Sequence, residues 1–464
     1  MSVVLTHGYF IAEDEKEQQI MRPYPPLGIL YLSAFLKEQG IENEIFDSTF
    51  SDKKSLVSYL VEKQPKILAV YTNLMTKLNV LDVIKQAKEL VSDVKVILGG
   101  PDVTYNTKDY LDNGADFIVI GEGENTIHEL SAAILEKKED FTQINGIAFL
   151  DENKQEVKTK PRTKVKAIDE LPFPNRDGID ISKYLKAWKD FHGESALSVS
   201  TQRGCPYTCK WCSTAVYGQS YRRRSVEKVV QVLKEINEKY NPDTIWFVDD
   251  VFTVSHKWLS AFADELEAQQ VKVKFECISR ADRMNGEVIK ILKRAGCFRV
   301  WIGAESGSQK IIDAMDRRVS VHKVREIIQE TKKEGIEAGT FIMLGYPGET
   351  VEDIKETIHH LKVSNPDHFT ITVAYPIKGT SLYNEIEDIQ TKELQWNQTT
   401  DRDRDFERTY PRKYYDYAVS WVVNEVNFHK KLQERKIGKE LVKYKIKSLL
   451  SYARGSIYKK LANG

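Results

Sequence analysis

Several absences narrow this sequence before any motif does. Cysteine is scarce, five in 464 residues, too few for a disulfide framework, so a reducing compartment is expected. The formal net charge is zero, so no overall field points to nucleic acid or to an acidic partner. No apolar run approaches the roughly 18 residues needed to span a bilayer. The opening Met1-Ser2-Val3-Val4-Leu5 shows no basic region followed by a long apolar stretch and a cleavage site. The cytoplasm is therefore the expected location. With 41% apolar and 29% charged residues, the chain has the composition of a globular protein long enough for two or three cores.

Three of the five cysteines lie together, in Cys205-Pro206-Tyr207-Thr208-Cys209-Lys210-Trp211-Cys212. Three thiolates at this spacing can hold an iron-sulfur cluster and leave one iron without a protein ligand, whereas clusters that only carry electrons normally have four cysteine ligands. A structural zinc site is the competing reading, but it usually draws paired ligands from two separated knuckles. Cys277 and Cys297 supply no second knuckle, since both sit in apolar contexts where a free buried cysteine is ordinary.

The spacing, the aromatic Trp211 before the last cysteine and Arg203-Gly204 before the first resemble the signature of radical S-adenosylmethionine (SAM) enzymes. The resemblance implies that Cys205, Cys209 and Cys212 ligate a [4Fe-4S] cluster and that SAM chelates the open iron through its amino and carboxyl groups. An electron from the cluster would then break a carbon-sulfur bond and give a deoxyadenosyl radical. A low-potential electron donor such as a flavodoxin or ferredoxin would be a partner.

Upstream, short apolar runs at 3–6, 44–47, 67–71, 94–98 and 117–120 alternate with segments of helical period such as 27–38 and 80–91. That alternation predicts parallel strands joined by helical crossovers, a doubly wound sheet with ligand-binding loops at its strand ends. Those loops carry Thr72-Asn73, Gly99-Gly100-Pro101 and Gly121-Glu122-Gly123-Glu124. Glycines there admit a bulky ligand against the backbone, or merely allow the turn. Together with Pro25-Pro26-Leu27-Gly28, they resemble the cobalamin-binding domain found ahead of many radical SAM enzymes. That resemblance implies cobalamin contacts at Thr72, Asn73, Gly99, Gly100, Pro101, Gly121 and Glu122. Domains that supply a lower histidine ligand carry Asp-x-His-x-x-Gly after the first strand. This chain has Leu5-Thr6-His7-Gly8, so a hydrogen-bonded His7 and cobalamin held without a protein imidazole are expected.

A hairpin is expected over 144–159, its second strand near 151–153, and Leu171-Pro172-Phe173-Pro174 marks a connector. Strands then recur at 197–201, 244–248, 274–279, 299–303, 339–344 and 367–374. Six strand-helix repeats suit a partial barrel, smaller than the roughly 250 residues of an eightfold one. The expected domains are 1–142 (cobalamin-binding), 143–194 (hairpin and linker), 195–385 (radical SAM barrel) and 386–464 (helical C-terminal region).

The barrel strands end in polar groups. Asp249-Asp250 follows the second: Asp249 is a candidate cofactor contact, and in the competing reading Asp250, its neighbour or the later Ser255 caps a helix. Arg280 follows the third, placed to hold the SAM carboxylate or to pair with Asp249 or Asp282. The family resemblance implies that Glu305, in Gly303-Ala304-Glu305-Ser306-Gly307, contacts the ribose hydroxyls or amino group of SAM. It also implies that Gly345-Tyr346-Pro347-Gly348 packs the adenine side; Glu349 or Thr350 would start the next helix in either case. Tyr24, Tyr217, Tyr221, His256 and Tyr375 suit a substrate cavity or simple packing equally, and none is assigned.

Beyond about residue 383 helices are expected, with an irregular charged stretch at 400–412. Val442, Ile446, Leu449, Leu450, Ala453, Ile457 and Leu461 form one apolar stripe, within a tail (428–464) holding eleven Lys or Arg against two Asp or Glu. Two readings stand: the stripe docks on the barrel and leaves a solvated basic face, or the helix lies on the anionic inner face of a membrane.

The expected activity is that of a cobalamin-dependent radical SAM enzyme methylating an unactivated carbon of a small molecule or lipid. The alternatives are a radical ring-forming cyclase of the anaerobic magnesium-protoporphyrin monomethyl ester cyclase type, and a non-catalytic cobalamin or redox sensor.

Overall fold

The computed structural model describes residues 2–389, 395–435 and 438–461. The chain divides into two compact units, one of residues 1–206, 213–245 and 394–403, the other of 207–212, 246–393 and 404–464.

The first unit is built on a seven-stranded sheet of order β2-β1-β3-β4-β5-β6-β7. Its strands are β1 (Val3–His7), β2 (Asn43–Ile45), β3 (Ile67–Tyr71), β4 (Lys95–Gly99), β5 (Phe117–Val119), β6 (Ile147–Leu150) and β7 (Glu156–Lys158). The first five pair in parallel, and the β6–β7 hairpin joins antiparallel at the β5 edge. Parallel strands covered on both faces need apolar residues on both. Accordingly, Val4, Leu68, Val70, Val96 and Leu98 enter one core and Val3, Leu5, Ile67, Ala69 and Ile97 the other. Residues 151–153, expected as strand, form the hairpin turn instead: the Asp151 carboxylate accepts from the Asn153 and Gln155 amides, the local bonding that makes Asp a turn residue.

Five further strands follow: β8 (Ala196–Val199), β9 (Gln202–Arg203), β10 (Arg222–Arg223), β11 (Thr244–Phe247) and β12 (Phe275–Ser279). With β13 (Cys297–Glu305), β14 (Glu337–Leu344) and β15 (His368–Val373), the second sheet runs β15-β14-β13-β12-β11-β8. Its pairs from β12 to β15 are parallel. The expected α/β class, a doubly wound sheet followed by a partial (β/α)6 barrel and a helical C-terminal region, is what the chain adopts.

The C-terminal region of the second unit holds the helices Arg412–Gln433 and Lys439–Leu461. They pack through small and polar residues: the Ser420 and Ser451 hydroxyls lie 2.9 Å apart, Ser448 donates to Glu425 at 2.6 Å, and Gly455 admits the rings of Tyr414 and Tyr417. Val442, Ile446, Leu449, Leu450 and Ile457 are 51% to 59% exposed. Docking on the barrel through that stripe is therefore not what these residues do; the side chain of Leu461 lies outside the described residues. Among the described residues, no helix is long and apolar enough to cross a membrane.

Candidate functional site

In the first unit the strand ends are built mostly from backbone. Thr72 donates its amide to the Gly99 carbonyl at 2.7 Å, locking the β3 and β4 ends together. Gly100 takes a φ of +119°, and a Cβ there would stand 2.2 Å from the Thr72 carbonyl oxygen. Only glycine tolerates both demands. At Gly99 and Gly121 a Cβ would stand at ordinary contact distance, 4.0 Å from the Val119 Cβ and 3.7 Å from the Val216 carbonyl oxygen. Asn73 accepts the amides of Met75 and Thr76, the side-chain turn that starts the helix Lys77–Leu90. Asp102, after Pro101, accepts from the Tyr110 hydroxyl.

Several polar atoms at this end are left over: the Thr72 hydroxyl is fully buried and has no hydrogen-bond partner, and the Thr104 and Thr126 hydroxyls are likewise unpartnered. An orphaned hydroxyl costs about 1–3 kcal/mol, and a ligand amide or phosphate at the strand ends would remove that cost. With glycines at the β4 end and after β5 bringing backbone to the surface of the strand ends, this donor set fits cobalamin.

His7, last in β1, is buried, and both ring nitrogens are engaged: Nε2 with Asp47 at 3.1 Å and Nδ1 with Ser48 at 2.9 Å. It is the hydrogen-bonded histidine that its neighbours led one to expect. Glu122, expected as a cobalamin contact, is an ion-pair partner in this structure. Its carboxylate is buried and paired with Arg203 at 3.2 Å and with Arg222. Arg203 also takes Glu124 and lies over the rings of Tyr31 and Tyr217. Two carboxylates and two guanidiniums thus satisfy one another away from water, the condition under which burying charge is tolerable.

That cluster anchors the cysteine loop. Arg203 stands two residues before Cys205, in a ribbon where β9 pairs antiparallel with β10 and Cys205 bridges to Gln219. Gly204 turns between them at φ +80°, in contact with Ser220.

Within the second unit, the Cys209 sulfur lies 3.4 Å from Arg280 Nη1 and 3.6 Å from Arg317 Nη1. Arg280 is held by Asp282, by the Arg317 carbonyl at 2.6 Å and by the Tyr207 ring at 4.0 Å. Arg317 Nη2 donates to the Gly303 carbonyl at 2.8 Å and stands 3.6 Å from the Glu305 carboxylate. Glu305, expected inside the turn, is the last residue of β13. A bulge after Gly303 re-aims it, and its φ is +64°, a conformation uncommon for a non-glycine residue. Burial pushes the Glu305 carboxyl above its usual range, opposed by Arg317 and Arg280.

Trp211 packs against a cluster that includes Met315, Tyr346 and Leu382, and Lys210 exchanges backbone bonds with Met315 and Leu382. Asp249 is buried at the end of the strand containing Phe247; Ser255, not an aspartate, caps the next helix. The Gly345-Tyr346-Pro347-Gly348 turn uses positive φ at both glycines, +78° and +79°. The Gly345 amide donates to Glu349 at 2.6 Å, and Thr350 caps the following helix. Burial pushes Glu349 up to about 8.

The second unit therefore brings together Cys209, Arg280 and Glu305, with Arg317 as a member that the sequence did not mark. Cys277 and Cys297 are buried apart from it. Among the described residues, no three His, Cys, Asp or Glu side chains converge on one metal position. A cluster engages each thiolate at a different iron. Guanidiniums beside a thiolate suit an anionic cluster, so this donor set fits one.

Comparison with known proteins agrees with this layout. Residues 20–131 match the B12 binding domain model, and residues 199–361 match that of the radical SAM superfamily. The chain is 31% identical over 368 residues to an uncharacterized methyltransferase of Pyrococcus horikoshii, covering 77% of this chain and 78% of that one. The chain belongs to the B12-binding radical SAM family. It is also similar, at 26% identity, to the anaerobic magnesium-protoporphyrin IX monomethyl ester cyclase of Cereibacter sphaeroides, over 80% of this chain and 61% of that one. In fold, this radical SAM protein is similar to the radical SAM methyltransferase of Kitasatospora setae solved with cobalamin and a [4Fe-4S] cluster. The TM-score is 0.70 at 18% identity, over 84% of this chain and 75% of that one. The chain is accordingly an enzyme, with a [4Fe-4S] cluster, SAM and cobalamin as its cofactors.

Proposed function

We propose that this radical SAM protein is a methyltransferase acting on an unactivated carbon of a small molecule or lipid. The observation that carries the reading is the convergence of Arg280 and Arg317 on the Cys209 sulfur with Glu305 beside them, in a chain that also has a glycine-bearing strand end with an orphaned Thr72 hydroxyl. When bound, the cluster and SAM supply reductive carbon-sulfur cleavage and cobalamin supplies methyl transfer.

The chain's own residues hold and shield. In this reading Cys205, Cys209 and Cys212 hold the cluster. Asp249, Arg280, Glu305 and the turn of Gly345, Pro347 and Gly348 hold SAM. Arg280 and Arg317 stabilise the thiolate by charge-assisted hydrogen bonds, and Glu305, raised by burial, presents a carboxyl to the amino or hydroxyl groups of SAM. Thr72, Asn73, Gly99, Gly100, Pro101 and Gly121 line the cobalamin face, while Glu122 acts by anchoring Arg203 and Arg222. A flavodoxin or ferredoxin supplies electrons, and the protein works in the cytoplasm and at the inner face of the membrane.

Anaerobic reconstitution with iron, sulfide and cobalamin, followed by metal analysis and incubation with SAM and a strong reductant, tests the reading. Iron near four per chain with stoichiometric cobalt and release of 5′-deoxyadenosine are expected. Zinc in place of iron, or iron with no deoxyadenosine, would overturn it. The likeness to the cyclase supports a second reading, radical ring formation. Transfer of label from methyl-labelled SAM to product separates the two.

A further inference from the structure

We infer that the helix Lys439–Leu461 is a docking surface for an anionic lipid membrane. This rests on that helix alone and not on the methyl-transfer reading.

At 100° per residue, Val442, Ile446, Leu449, Leu450, Ala453 and Ile457 fall within an arc of about 100°. The five larger ones are each more than half exposed. The opposite side, carrying Ser448, Ser451 and Gly455, meets the neighbouring helix. The usual arrangement is inverted: small and polar residues are covered and large apolar residues face out. Burial of five such side chains is worth far more than their exposure if a partner of the right chemistry is present.

The rim of the stripe identifies that chemistry. Lys443, Lys447 and Arg454 line one border; towards the other, Lys445 pairs with Glu425 at 3.1 Å and Lys459 lies over the Tyr410 ring, and the described part of the helix has one acidic residue, Glu440. A second copy of this helix would set these cations against their own kind. An anionic lipid surface meets both features at once, taking the apolar arc at the acyl boundary and the cations at the headgroups. The helix is about 34 Å long and not apolar enough to cross a bilayer, so it lies in the interface plane.

Co-sedimentation of the anaerobically reconstituted full chain with phosphatidylcholine vesicles, with and without phosphatidylglycerol, tests the inference. Binding to the anionic vesicles, release by salt, and little binding to phosphatidylcholine alone are expected. I446E/L450E, on the exposed arc, should keep its iron and cobalt and stay in the supernatant. K443Q/K447Q should bind more weakly by about fivefold per charge removed. Three outcomes would overturn the inference: no binding to anionic vesicles at low salt; equal binding to both vesicle types; or a dimer in light scattering that I446E/L450E dissolves, which would assign the stripe to a second copy. Vesicle binding needs neither SAM nor reductant, so its failure leaves the catalytic reading standing.

Discussion

The strand ends of the two units solve opposite problems. In the first, Gly99, Gly100 and Gly121 keep side chains out, and the unpartnered polar atoms include the neutral hydroxyl of Thr72. In the second, Arg280, Arg317 and Glu305 bring buried charge to a sulfur atom. On the proposed reading, a large macrocycle would be admitted by absence of bulk, and an anionic cluster and a sulfonium cofactor with an amino-acid end would be held by charge. Added bulk should therefore damage the first region, and altered charge the second.

The largest effect is expected from Cys209→Ala. It should remove the cluster and reduce deoxyadenosine release to background while cobalt is retained, as metal analysis of one gel-filtration peak would show. The ionic region should also be the pH-sensitive one. Glu349 keeps its proton up to about pH 8 in the folded chain, against 4.5 for a free carboxyl. The unfolded chain gives up that proton first, so this contribution to stability falls as pH climbs from 4.5 towards 8. Glu349→Gln should remove that decline, worth up to about 5 kcal/mol, as denaturant melts at pH 5 and pH 8 would reveal.

Gly100→Ala mirrors the cysteine variant. A Cβ pressed against the Thr72 carbonyl at positive φ costs about 1–3 kcal/mol. Cobalt should fall with iron unchanged, and equal loss of both metals would erase the contrast between the regions. For Arg317→Met, loss of one charge-assisted hydrogen bond to Cys209 should lower the cluster's midpoint potential by about 50–100 mV in an EPR-monitored titration, with Arg317→Lys between. The smallest effect is that of Thr72→Val. Removing the orphan should stabilise the cobalamin-free protein by about 1 kcal/mol and weaken cobalamin retention, two changes of opposite sign in one variant.

The strands of both sheets were legible because parallel strands buried on two faces read as largely apolar runs, as at Ile67–Tyr71 and in the Phe341–Leu344 end of Glu337–Leu344. The polar strand Glu156–Lys158 has no such run, and its place was misread by several residues. Arg317 was invisible for another reason. It follows a short helix and sits between Asp316 and Arg318, both at positive φ, so its direction depends on backbone that no periodicity reports. Glu122 shows the converse: its position after a strand is readable, but its occupation by Arg203 and Arg222 requires residues some 80 and 100 positions away. On the helix Lys439–Leu461 the stripe was plain, yet a period says only that apolar residues share a side, not that the side is covered.

The clamp of Arg203 by Glu122 and Glu124 has a consequence for biogenesis. A ribosome delivers the turn after β5 about 80 residues before Arg203, and domains form as they emerge. The upstream stem of the cysteine loop thus finds its anchor already built, and the iron-loading machinery meets thiols on a loop fixed at one end rather than on free chain. A lesion at Glu124, remote in sequence from every cysteine, should for that reason appear in cells as under-loaded iron before it appears as misfolding.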